Sequence, residues 1–132
     1  MSYQKLEQHQ QQLHRLSHLS AICGWDQAAM MPEGGNEARA EAMAELGVLI
    51  HGKRTAPELG DWIAKAESEP LDATQRANLA EIKRHWQDAS LLPGELVEAL
   101  SLAGSKCEHA WRRQRKENDW AGFAPNLEEV VR

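Results

Sequence analysis

Leu6, Leu13, Leu16, Leu19 and Cys23 fall on one face of a helix turning about 100° per residue, and no breaker interrupts that register before Met31-Pro32. A helical period held this long constrains the chain more than any other feature. It predicts a first helix from Tyr3 to about Gln27. His9 lies within the apolar stripe, whereas His14 and His18 project from the more polar side, with Ile22 beyond them. The residue types agree with the period. Val, Ile and Thr are scarce, Tyr3 and Phe123 are the only residues of their kinds, and Ala, Leu, Glu, Gln, Lys and Arg dominate. These favour helix over strand.

The rest of the chain repeats the pattern between start and stop signals. In "MMPEGGN", Pro32 biases Met31 away from helix, Gly34-Gly35 marks a turn, and Asn36 is placed to cap a second helix. That helix runs through Met43, Leu46, Leu49 and Ile50 to about Arg54. Thr55 to Glu58 has the form of a capping box, opening a short helix that buries Leu59, Trp62, Ile63 and Ala66. Asp72 to Gln75 is a similar signal for a helix presenting Leu79, Ile82 and Trp86. Pro93 suits the first turn of another, with the stripe Leu96, Leu100, Ala103, Cys107 and Trp111, ending near Asn118. Gly104 in that stripe suggests a close helix contact. Asn126 and Glu129 give a last start signal, cut short at Arg132. The expected fold is all-α: an antiparallel, bundle-like array of about five helices plus a truncated C-terminal helix. A capped helix ending within two turns buries little alone, so residues 1–132 are expected to be a single helical region cut from a longer protein.

Charge and hydropathy exclude several classes. The net charge of −5, without a long run of one sign, lacks the basic surplus of a nucleic-acid domain. No apolar run approaches the roughly 20 residues needed to span a membrane. The polar N-terminus "MSYQKLEQHQQQ" lacks the apolar core of a secretory signal. Cys23 and Cys107 are far apart and outside any zinc-like spacing, so both read as buried thiols in a reducing cytoplasm.

Four stretches invite a chemical reading. "HRLSH" sets His14 and His18 one helical turn apart, the spacing of a zinc-peptidase pair. Such a pair needs a glutamate after the first histidine to deprotonate the metal-bound water, and Arg15 stands there instead. Two solvated surface histidines is the better account. Glu81 and His85 could hold a metal edge, and Glu37, Glu41 and Glu45 form an acidic ridge, but both fit solvent-facing helix surfaces. "WRRQRK", Trp111 to Lys116, places cations at a helix C-terminus, where they oppose the helix dipole. "PEGGN" could present backbone N–H groups to an anion, but lacks the Lys-Ser/Thr ending of a phosphate loop. None of these assembles an active site, and no catalytic or metal-ligating residue is assigned.

A longer stretch is more specific. "CGWDQAAMMPEGGNEARAEAMAELGVLIHGKRT", Cys23 to Thr55, resembles the N-terminal region of the carboxypeptidase Taq family of thermostable metallocarboxypeptidases. The basic helix running into "AWRRQRKENDWAGFAPNLEEVV" resembles that family's next landmark, in the same order. The resemblance implies an all-helical, cytoplasmic, homodimeric parent. Such a parent removes C-terminal residues from peptides with zinc or another divalent metal. It implies that the metal is held by a His-Glu-x-x-His helix and a downstream glutamate, a motif absent here. This segment would then be a wall or lid over the substrate groove, inert by itself and binding no metal. Trp25, Asp26, Met31, Pro32 and Arg39 carry over as family landmarks. A structural role is expected for each: Trp25 in core packing, Asp26 or Arg39 holding the interhelix turn, Pro32 ending the helix. The competing reading is a stand-alone helical interaction module without enzymatic activity. A severed fragment should also expose an apolar patch around Leu127, Val130 and Val131.

Overall fold

Tyr3, Leu6 and Leu13 are buried on one side of α1 (Ser2–Ala29), and they begin the core. Around Tyr3 and Leu6 gather Leu59, Ile63 and Ala66 of α3 (Glu58–Ala66), Leu71, and Leu79 of α4 (Ala73–Ser90). Trp62, Ile82 and Trp86 pack partly buried against this cluster. The computed structural model describes all 132 residues, as six helices without a strand. Between α1 and α3 runs α2 (Asn36–Arg54), and α5 (Gly94–Glu117) and α6 (Trp120–Val131) complete the chain. The most extensive packing is of α2 along α5. Buried residues on those two helices include the small Ala40, Ala44 and Cys107, which let helix axes approach closely. Helix α6 packs on α5 and α3 on α1, so α2 is the spine between two halves.

Long-range caps tie these elements together. The Glu69 carboxylate, from the loop after α3, accepts from the N–H groups of Ser2 and Tyr3 at 2.6 and 3.3 Å. An anion thus meets the positive end of α1. The His9 ring donates from Nε2 to the Lys53 carbonyl at 2.8 Å, satisfying the last turn of α2. The same ring meets Trp62 edge-on at 6.2 Å.

Several local expectations need correction. Asn36 does not cap α2. A 3₁₀ turn, Glu33–Gly35, runs directly into the helix with Gly35 and Asn36 both in helical conformation, so no extended residue remains to act as a cap. The Asn36 side chain instead accepts from Gln27 at 3.4 Å. Thr55 forms no capping box, because its hydroxyl donates backward to the His51 carbonyl at 2.9 Å and closes α2. Asp72 and Gln75 do form the reciprocal box, at 2.9 and 3.0 Å. Helix α6 begins at Trp120, not near Asn126, because the Asp119 carboxylate caps the Gly122 N–H at 2.9 Å. Pro125 therefore lies inside the helix, removing one backbone donor without ending it. Asn118, with φ of 55°, supplies the left-handed residue that separates α5 from α6.

Burial departs from the stripes as well. Leu19 is 53% exposed, Leu96, Leu100 and Trp111 are also exposed, and Cys23 is only half-buried. At Gly104 a Cβ would meet nothing within 4 Å, so this chain makes no close contact there.

Candidate functional site

The turn from α1 to α2 is held by one side chain. Arg39 Nη2 donates to Asp26 Oδ2 at 2.6 Å, and its Nη1 donates to the Cys23 carbonyl at 2.9 Å. Both partners are partly shielded from water, which makes this pair firmer than a surface ion pair. From α5, Arg112 Nη1 donates to the Ala28 carbonyl at 2.8 Å and lies 3.5 Å from that of Gln27. Two arginines thus neutralise the carbonyl end of α1. The expectation that "WRRQRK" serves its own helix end is corrected for this residue: Arg112 serves α1 instead. Within the turn, Met31 lies 3.2 Å from where a Cβ on Gly35 would sit, so a larger residue there would need the Met31 side chain to shift by a few tenths of an ångström. Pro32 is extended, between the end of α1 and the 3₁₀ turn. Trp25 does not pack into the core: it is 61% exposed.

A second feature is a cleft of about 960 Å³ bounded by α1, α2, α4 and α5. Its floor and walls include Leu13, Gly47, Ile50, Trp86, Val97 and Leu100, with His14, His51, Arg54, His85 and Asp88 also lining it. His14 reaches the cleft, but His18 does not line it. Both residues of "HRLSH" are exposed, and no three His, Cys, Asp or Glu side chains converge where they could hold a metal ion. His85 Nε2 lies 3.8 Å from Glu81, but Arg84 stands between them, 2.7 Å from Glu81 and 2.9 Å from His85. The hydrogen bond and charge of Arg84 hold the Glu81 carboxyl below its usual range. A guanidinium already occupies the place a cation would take. The acidic ridge of Glu37, Glu41 and Glu45 is exposed throughout.

Sequence reasoning missed His9, Glu69 and Arg112. Each acts on a helix end far away in sequence, and only the basic character of "WRRQRK" hinted at the last.

The family model of the carboxypeptidase Taq (M32) metallopeptidases matches residues 5–132, and the chain belongs to that family. It is 36% identical to thermostable carboxypeptidase 1 of Thermus thermophilus over 98% of its own length, and 29% identical to carboxypeptidase 1 of Bacillus subtilis over 90%. It spans only 26% and 25% of those two relatives. Among solved structures it is similar to Trypanosoma cruzi metallocarboxypeptidase 1, with TM-score 0.74, 39% identity, and 98% of this chain on 26% of that one. It is also similar to Pyrococcus furiosus carboxypeptidase, with TM-score 0.75, 25% identity, and 99% of this chain on 27% of that one. The family is one of metallopeptidases, but the side chains of residues 1–132 do not fit a metal.

Proposed function

We propose that residues 1–132 are the N-terminal helical wall, or lid, of the substrate groove in a metal-dependent carboxypeptidase that releases C-terminal residues from peptides. The match of the M32 family model to nearly the whole chain carries this reading. The chain's own inventory divides the labour. The sequence holds no His-Glu-x-x-His, and no three donor side chains converge, which supports a metal and a proton-transferring carboxylate supplied from outside this segment. That metal is zinc or another divalent ion, and the complete enzyme works in the cytoplasm as a homodimer on peptide substrates. Here the Asp26–Arg39 staple and the Arg112 clamp fix the angle between α1 and its neighbours, and so hold the wall in shape. Trp25, Met31 and Pro32 define the same corner.

The test is turnover. Purified residues 1–132, supplied with zinc or cobalt, should leave peptides with free C-termini intact, as it leaves blocked ones. A longer chain whose reading frame continues into a His-Glu-x-x-His helix should cleave the free peptides only. Metal-dependent cleavage by residues 1–132 alone would overturn the division of labour.

A further inference from the structure

The cleft between α1, α2, α4 and α5 has the character of a docking trough. It is a channel between long helices whose floor includes Gly47 and Ile50 of α2. Gly47 is in mid-helix, where glycine is less favourable than alanine. Nothing in this chain lies within 4 Å of where its Cβ would sit, so no internal contact explains the glycine. A small-molecule site would need a few buried polar groups to orient its ligand. The one buried side-chain atom without a hydrogen bond is Gln114 Oε1, which is outside this cleft.

Surface area gives the scale of what is missing. A compact monomer of 14.8 kDa exposes about 7,000 Å². This chain exposes 8907 Å². The excess is more than twice the roughly 800 Å² that one partner buries in a standard interface. Charge narrows the occupant further. Arg54, on the cleft, has no carboxylate within 4 Å, and three imidazoles line the same space. The one acidic residue among the lining groups, Asp88, is held by Arg84 at 3.3 Å.

We propose that the cleft seats an amphipathic helix with carboxylates flanking its apolar stripe, supplied by the part of the M32 fold outside residues 1–132. The inference rests on the reading of this chain as one part of a longer peptidase. The covering surface is therefore intramolecular in the complete enzyme. Gly47 lets the incoming helix approach the α2 backbone, Leu13, Trp86 and Leu100 enclose its stripe, and Arg54 meets its acidic flank.

The test uses residues 1–132 with overlapping peptides of about 25 residues, seven turns of helix, covering the Thermus thermophilus relative outside its matched quarter. Binding is read by fluorescence anisotropy. A helix-forming, acid-flanked peptide should bind, and Gly47→Arg and Leu100→Glu should each weaken it about tenfold or more. Arg54→Glu should weaken it too. Gly47 has open space around it and Leu100 is exposed, so circular dichroism should show both variants folded. The proposal is overturned if no peptide exceeds its scrambled version, or if binding survives Gly47→Arg. It is equally overturned if Gly47→Arg converts a discrete dimer of this chain to monomer, which would make a second copy the occupant. Peptide binding needs no catalysis. A bound peptide beside an inactive parent drops the carboxypeptidase reading alone, and an active parent whose peptides ignore the cleft drops the docking alone.

Discussion

Arg39 directs both terminal nitrogens at α1, one to a side chain and one to a backbone carbonyl. Arg39→Met removes both bonds and leaves Asp26 partly shielded without its cation. The expected loss is about 1–2 kcal/mol, read as a lowered urea midpoint at unchanged slope. Arg39→Lys should recover only part, since an ammonium cannot serve two acceptors in a fixed fork. Glu81 offers a check of opposite character. Its carboxyl is held low by the hydrogen bond to Arg84 and by that group's charge. A carboxylate favoured in the folded state adds stability above its unfolded pKa, and that stability is lost as pH falls through the folded value. An NMR titration should place the Glu81 midpoint below that of an ordinary glutamate, and Arg84→Met should raise it. Because the pair is fully exposed, the same variant should leave stability near neutral pH almost unchanged.

At the scale of the element, the caps separate what the chain announces from what it conceals. Asp72→Ala should cost about 1 kcal/mol by thermal melting, because its carboxylate bonds the Gln75 N–H. Asn36→Ala, at a position equally cap-like in sequence, should cost only a few tenths of that value, since it caps nothing. The two look alike in sequence because a cap depends on the backbone of the residue before the helix. The 3₁₀ turn removed that conformation at Gly35, while Asp72 kept it with ψ of 177°. The positions and lengths of α1 to α5 were legible from the apolar period, which is a local quantity, whereas α6 begins six residues before the start signal at Asn126. Thr55 and Pro125 misled because each has two uses, and the choice depends on neighbours across the fold. Thr55 closed one helix where it could have opened another, and Pro125 was absorbed by a helix whose start Asp119 had already fixed. The landmark positions gained meaning in the same way. Asp26 and Arg39 stand 13 residues apart on different helices, and no helical spacing could pair them. Leu13, Gly47, Trp86 and Leu100 sit on four helices, so the cleft is a product of packing that no single stripe contains.

For the whole molecule, the question is how far so thin a core can hold six helices together. Only 13 of 132 residues are buried, and seven of them form one cluster at the junction of α1, α3 and α4. The α5–α6 end has no comparable cluster: of the patch expected there, Val131 is largely exposed, Leu127 about a third exposed and Val130 only half-buried, while Trp120, outside that expectation, is also largely exposed. Apolar surface of this extent drives association in water, at about 25 cal/mol for each Å² covered. Sedimentation of purified residues 1–132 should therefore show concentration-dependent self-association. Because the exposed apolar residues are spread over α1, α2, the α4–α5 connection, α5 and α6, the association should lack a single stoichiometry and should persist in Gly47→Arg. Substituting Trp120 and Val131 together with Ser should weaken it without unfolding the α1–α3–α4 cluster, to which neither belongs. A strictly monomeric chain at all concentrations, with no dye-accessible apolar surface, would mean that these helices close on themselves in solution. The surplus of exposed area would then have no partner to explain it.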